Sequence, residues 1–235
     1  MFTKSERFYD AIYAWKDYAR EAGRLQALIE RHKLSPGSTL LDVACGTGGH
    51  IPFLRDAFTI EGLDLDPAMI AIAQARNPGT RFHHGNMIDF DLGRRFDAVV
   101  CLFSSIGYTR TADRLEQAVA TMARHVLPGG VLAIEPFFEP SAWTQGDRPN
   151  ANFVDQPDLK IARMIRWRVE DSVAAADFHY LVATSEGIEH FSERHELGLF
   201  TDEEFRQVFK SSGLTLIHDA EGLMGRGLYL GVRPL

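Results

Sequence analysis

The chain is poor in cysteine, has no basic run, and holds no apolar stretch long enough for a bilayer. Cys45 and Cys101 are its only cysteines. Both end apolar, strand-like runs, where a cysteine behaves as a small core residue, so no disulfide framework is expected. With 25 basic against 32 acidic residues and a net charge of −7, nothing suits a polyanionic polymer, and no nucleic-acid partner is expected. No apolar run approaches the roughly 20 residues that cross a membrane, and the start Met1-Phe-Thr-Lys-Ser-Glu-Arg7 is too polar for an export signal. The expectation is a cytoplasmic protein with no membrane partner. Metal-ligand spacing is missing too. His83 and His84 are strand neighbours that face opposite ways, as do His190 and His195, five apart.

What is present is ordinary globular composition, 45% hydrophobic and 24% charged over 235 residues, enough for one α/β domain with an insertion. The first 33 residues carry helical periodicity through Phe8, Ile12, Trp15, Ala22, Leu25 and Ile29, and Ser35-Pro36-Gly37 ends it. Strands are expected at about 39–44, 59–64, 80–84, 96–102 and 130–136, and helices near 49–56, 67–76 and 112–126. Asp66-Pro67 marks a helix start.

After Pro136 the rhythm changes. Residues 137–158 read as a loop, followed by strands at about 159–170, 173–185 and 188–198 with no helix between them. Within them Arg163, Arg166 and Arg168 read as one solvated strand face. A capped helix near 201–211 and strands at about 214–220 and 227–233 close the chain. The fold class is therefore α/β, a Rossmann-like, doubly wound, mostly parallel seven-stranded sheet. An antiparallel meander is inserted at 137–200, and residues 1–35 form a helical lid on a single 1–235 domain.

The chemistry gathers around Asp42-Val-Ala44-Cys-Gly46-Thr-Gly48. Gly46 and Gly48 admit a ligand where a side chain would block it, and Asp64 ends the next strand, placed for ribose hydroxyls. A dinucleotide loop needs a third glycine for close helix packing, and Ile51 stands there. A Walker loop fails for want of Gly-Lys-Ser/Thr. The acid-x-Ala-x-Gly-x-Gly pattern resembles the first motif of class I S-adenosylmethionine-dependent methyltransferases. Asp64-Leu65, Gly85-Asn86-Met87 and Leu127-Pro-Gly-Gly130 follow in the order that family shows.

Phe103-Ser-Ser-Ile-Gly-Tyr108 lies at the carboxyl end of the fourth strand, where α/β sheets bind ligands. Together with Tyr9-Asp-Ala-Ile-Tyr13, Lys16-Asp-Tyr18, Ile134-Glu-Pro136, His190-Phe-Ser192, Leu199-Phe200 and Gly225-Arg-Gly-Leu-Tyr229 it resembles bacterial N-methyltransferases of nucleotide-linked amino deoxysugars, of the desosamine and mycaminose type. One departure is Pro136-Phe137-Phe138, where that family carries Pro-Trp-Trp.

The resemblance implies S-adenosyl-L-methionine as cofactor, held by Tyr18, Asp42, Ala44, Gly46, Gly48, Asp64, Leu65, Asn86, Met87 and Phe103. It places Tyr13 and Tyr108 at the acceptor amine as catalytic residues. Tyr9, Ser105, Phe137, His179 and Arg226 stand on the side of the small-molecule substrate, with Arg226 reaching a diphosphate. His190 and His195 are further candidates for polar contacts. Methylation of another small molecule at nitrogen or oxygen, a nucleoside-binding protein without turnover, and an oxidoreductase are the other readings. A homodimer is compatible with the sequence, which does not define the oligomeric state.

Overall fold

The structure, a computed structural model, describes residues 4–143 and 149–235. In chain order the strands are β1 (Thr39–Val43), β2 (Thr59–Asp64), β3 (Arg81–His84), β4 (Phe96–Cys101), β5 (Val126–Ile134), β6 (Asn150–Gln156), β7 (Leu159–Glu170), β8 (Val173–Thr184), β9 (Gly187–Gly198), β10 (Thr215–Asp219) and β11 (Leu228–Val232). The helices are α1 (Tyr9–Ile12), α2 (Tyr18–His32), α3 (Ile51–Leu54), α4 (Pro67–Arg76), α5 (Ala112–Arg124) and α6 (Asp202–Ser211).

Seven strands form one sheet in the order β10-β11-β5-β4-β1-β2-β3, with β11 antiparallel to both its neighbours. β1 and β4 are buried on both faces, which is why they read as unbroken apolar runs. Alternation then divides the core in two. Leu41 and Val99 pack with Leu115 and Met122 of α5 and Phe205 and Phe209 of α6. Leu40 and Val100 pack on the other side with Leu25 and Ile29 of α2. Caps end the helices where the sequence signals them: Asp66 accepts from the Ala68 amide at 2.8 Å, and Thr201 and Glu204 form a reciprocal capping box.

The second sheet, β6-β7-β8-β9, is antiparallel throughout and leaves the main body between β5 and α6. Its inner face packs on the N-terminal segment, joining Ile165, Phe178, Tyr180 and Phe191 to Phe8 and Ile12. It has four strands where three were expected. Asn150-Ala-Asn-Phe-Val-Asp-Gln156 is rich in turn formers, and pairing with β7 overrides their weak strand preference at an edge. Residues 144–148 of the expected loop lie outside the described residues. Two expected helices are shorter. The N-terminal one breaks between Ile12 and Tyr18, and the 49–56 helix contracts to Ile51–Leu54.

The start of β1 is tied to β4 by one carboxylate. Asp97 is buried and accepts from the Gly37 amide at 3.1 Å, the Thr39 amide at 2.9 Å and the Thr39 hydroxyl at 2.7 Å. Truncation leaves those donors without an acceptor. Asp97→Ala is expected to lower unfolding free energy by about 2–4 kcal/mol, measured by urea denaturation. A loss under about 0.5 kcal/mol would show that the clamp is redundant.

Candidate functional site

The parallel strands end together, and the loops after β1, β2, β3 and β4 wall a cavity of about 450 Å³. Its lining includes Ala44, Gly46, Asp64, Leu65, Asn86, Met87, Ser105 and Tyr108, together with Tyr9 from the N-terminal segment. A polar recess continues from it between Lys16, Tyr18, Asp42, Gly46 and His50, with Phe103 beside them. Thus most of the residues expected to hold a cofactor converge at one place.

The glycine turn explains itself physically. Gly46 and Gly48 have φ of +54° and +69°, a region open to glycine at no steric cost. The Gly46 amide donates to Asp64 Oδ2 at 2.7 Å, and the Asp66 amide donates to its Oδ1 at 2.9 Å. Asp64 is therefore fixed in orientation and keeps further lone pairs with which to accept from a ligand. Gly48 packs so tightly that an added Cβ would lie 2.6 Å from Asn77 Nδ2, and one on Gly49 would lie 2.6 Å from the Tyr18 ring.

At the end of β4, two non-glycine residues share the left-handed region, Phe103 at φ +51° and Ser104 at +62°. Such backbone persists only where its surroundings overdetermine it. The Phe103 amide donates to Glu135 Oε2 at 2.7 Å, and the Ser104 hydroxyl donates to the Pro136 carbonyl at 2.9 Å. The Phe103 ring meets Tyr13 edge-on at 5.3 Å, and Lys16 Nζ lies 4.1 Å from its centroid. The turn then enters the 3-10 segment Ser105–Thr109, which carries Tyr108.

Charge is divided across the cavity. On the loop side, burial and the neighbouring Asp64 charge push the Asp42 carboxyl up to about 7. Burial also raises Asp64, against the pull of the backbone amides it accepts from. Lys16, buried and paired with Glu21, stands opposite Asp42 in the recess. A zwitterionic amino-acid tail with a neighbouring sulfonium matches that set, and an aliphatic or phosphate group does not. On the other side Arg110, Arg114 and Arg194 line the cavity with a single acid of the small sheet, Glu196, which pairs with Arg110 at 2.8 Å and Arg194 at 3.2 Å, so that among the described residues Arg114 is the one of the three in no ion pair.

Arg163 was missed by the sequence reading. It lies three positions from Arg166, which puts the two on opposite faces of β7. Arg166 is exposed, and Arg163 is only 4% exposed. Its Nη1 donates to the Tyr13 hydroxyl at 3.2 Å and its Nη2 to Asn152 Oδ1 at 2.7 Å. Among the described residues no carboxylate lies within ion-pair distance of it. Counting parity along the strand would have separated it from the solvated pair. Lys16 was likewise seen only as part of a motif.

Three expectations on the substrate side change. Arg226 is not a free anion receptor: Nη2 meets the buried Glu135 at 3.2 Å, so its charge is already balanced. His179 faces away from the cavity, on the exposed side of β8, and stacks on His190 at 5.7 Å. Strand parity again decides, since Phe178 and Tyr180 face inward. Phe137 packs against Phe138, Trp143 and Trp167, in an aromatic cluster outside the cavity lining.

His195, by contrast, is buried and lies 2.7 Å from the Tyr108 hydroxyl through Nδ1. Among the described residues there is no group of three or more potential metal ligands, and no helix is long and apolar enough to cross a membrane.

A parallel sheet in this strand order, with a glycine turn after β1 and a ribose-type acid after β2, defines a class I methyltransferase. Residues 40–130 match the methyltransferase domain family. The chain is 43% identical to the dTDP-3-amino-3,6-dideoxy-alpha-D-glucopyranose N,N-dimethyltransferase of Streptomyces fradiae, over 95% of this chain and 89% of that one. The crystal structure of Streptomyces venezuelae DesVI superposes with a TM-score of 0.91 at 36% identity, covering all of both chains. S-adenosylmethionine-bound CalS10, an amino pentose methyltransferase from Micromonospora echinaspora, does so with a TM-score of 0.86 at 35% identity, over 99% of this chain and 98% of that one. The chain belongs to the family of S-adenosylmethionine-dependent sugar N-methyltransferases.

The raised Asp42 carboxyl makes two measurable quantities depend on pH. Folded Asp42 holds its proton to about pH 7, whereas the unfolded group loses it near 3.8. Between those values the folded state binds more protons, so this residue's contribution to stability falls as pH rises. Asp42→Asn should remove that component, flattening the pH dependence of the melting temperature between pH 5 and pH 7 by comparison with the wild type. S-adenosylmethionine brings positive charge to the acid, so binding at pH 7 should release a fraction of a proton. Calorimetry in buffers of different ionisation enthalpy reads it. A binding enthalpy independent of buffer would refute the assignment.

Proposed function

We propose that this enzyme methylates the amino group of a nucleotide-linked amino sugar, with Tyr13 and Tyr108 at the acceptor nitrogen. The relatives' acceptors support the class of substrate. The observation in this chain that carries it is the division of charge across the cavity. Acids line the side we assign to the cationic donor, and arginines the side we assign to the acceptor. In a protein of net charge −7, a cavity side where Arg110, Arg114 and Arg194 outnumber their one lining partner of the small sheet, Glu196, with Arg163 buried behind Tyr13, suits a polyanionic acceptor such as a nucleoside diphosphate, with Arg114 as the group least engaged elsewhere.

The cofactor, when bound, supplies a methyl group already activated on a sulfonium. The chain's own residues have the remaining work, which is alignment and exclusion of water. Asp64 and Gly46 fix the nucleoside end; Lys16, Tyr18 and Asp42 the amino-acid end; Leu65, Asn86 and Met87 the adenine. The N-terminal segment acts as a lid over both ligands, pinned by the Thr47 hydroxyl donating to Asp10 Oδ1 at 2.8 Å and by Arg76 pairing with Asp10 at 2.9 Å. Burial raises the Tyr108 phenol far above its ordinary value, so at neutral pH it is an orienting group and not a phenolate base.

A panel of S-adenosylhomocysteine, NAD and nucleotide-linked amino sugars separates this reading from the others. The first and third should raise the melting temperature, and mass spectrometry should show methyl addition to the sugar nitrogen. Stabilisation by NAD alone would overturn the donor, and methylation of a hydroxyl compound instead would overturn the acceptor. Arg114→Ala and Arg163→Met should each raise the acceptor's KM by about tenfold or more and leave the dissociation constant of S-adenosylhomocysteine unchanged. An unchanged KM in both would remove the polyanionic acceptor.

A further inference from the structure

Strand alternation on β9 puts Glu193 and His195 on the same inward face, both buried. Glu193 is held rigidly from the N-terminal segment. Its carboxylate accepts from the Lys4 amide at 2.7 Å, the Ser5 amide at 3.0 Å and the Ser5 hydroxyl at 2.6 Å. His195 Nε2 lies 3.7 Å from Glu193 Oε2, and the His195 ring meets Phe178 edge-on at 4.9 Å. Its other nitrogen, Nδ1, is the one at 2.7 Å from the Tyr108 hydroxyl, and Tyr108 lines the cavity.

The direction of this chain follows from its carboxylate end. At 3.7 Å the Glu193 carboxylate is beyond hydrogen-bond distance of Nε2, and it is its negative charge that favours the tautomer with the proton on that nitrogen. In that tautomer Nδ1 has only a lone pair, and Tyr108 O–H is the donor to it. The lone pairs of the Tyr108 oxygen are left for whatever stands in the cavity.

We propose that Glu193 and His195 are positioning residues that turn the Tyr108 hydroxyl into an obligate hydrogen-bond acceptor for an N–H of the substrate amine. The proposal rests on the amine-acceptor reading above. A free phenol could instead donate to the amine's lone pair, which is the pair that must attack, and would tie it up. With its proton committed to His195, Tyr108 can only receive, and the amine's lone pair stays available. Burial keeps resting His195 below its ordinary pKa against the opposing pull of Glu193. Among the described residues, the charged or titratable groups that face it include Glu193, Tyr108 and Arg163.

Two measurements test this. Long-range proton–nitrogen NMR of the ligand-free protein should find His195 neutral near pH 7 with its proton on Nε2. A proton on Nδ1 would overturn the proposal without any kinetic assay. In turnover, Tyr108→Phe and His195→Phe should each lower kcat by about tenfold or less and leave S-adenosylhomocysteine affinity unchanged. His195→Asn, whose amide oxygen can replace Nδ1 as acceptor, should recover most of that loss. In the Tyr108→Phe background, His195→Phe should cost nothing further, because the two act as one unit. Losses that multiply in the double variant would sink the idea, as would a loss of about 1,000-fold for Tyr108→Phe, which would make it an acid–base catalyst. Should the wild-type enzyme methylate no amine at all, the acceptor reading fails, while the NMR result still decides the direction of the chain.

Discussion

The left-handed pair at Phe103 and Ser104 is the constraint on which the site depends. Each such residue costs about 1–3 kcal/mol, and the cost is offset by Glu135 and Pro136 at the end of the neighbouring strand. Glu135 is fully buried and is charge-balanced by Arg226, whose guanidinium also lies 5.9 Å from the Phe103 ring centroid. This one node therefore sets the ring against which Tyr13 and Lys16 pack and the point at which the Ser105–Thr109 segment begins. The residues proposed for the donor and the acceptor are thus aligned by the same turn. An Arg226 free to bind a diphosphate would leave Glu135 as an uncompensated buried charge, a costly state.

The second organising feature is a pair of acids stored in the cavity proposed to take the cofactor's positive charge. Asp42 and Asp64 stand close enough for one to raise the other, and both are largely buried. Without a cation the protein carries that repulsion, partly by retaining a proton. A cation bound there would relieve it, making part of its affinity stability withheld from the free enzyme. Lys16 illustrates the same economy at the opposite charge: Glu21 bridges it to His50, keeping a buried ammonium satisfied next to the recess.

Much of this was legible before the structure. The order of strands, the glycine turn and the acid after β2 all rest on local signals, because parallel strands buried on both faces leave unbroken apolar runs and each turn needs particular residues. The meander was harder. β6 hides in Asn, Asp and Gln because an edge strand is defined by its partner and not by its own composition. Arg163 and His179 were misjudged for one common reason. On a strand, the face is a matter of parity, and a reading by residue type ignores it. Arg226 looked free because its partner Glu135 is 91 residues away in sequence, at a separation no local pattern reveals.

The place of the small sheet follows from these constraints. It leaves the main body just after Glu135-Pro136, the segment that holds the strained turn, and β9 returns to pack on the Ser105–Thr109 segment through Leu197 beside Gly107. Its inner face also takes the N-terminal segment, through the apolar contacts of Phe8 and Ile12 and the grip of Glu193 on Lys4 and Ser5. The strand that supports Tyr108 is thus the strand that anchors the start of the chain. Displacing that segment removes three donors from Glu193 at once and exposes its carboxylate to water, weakening its hold on the His195 tautomer. If that segment is the lid proposed above, its closure is coupled to the polarity proposed for the Tyr108 hydroxyl, and an open enzyme would lose the arrangement that keeps the amine's lone pair free.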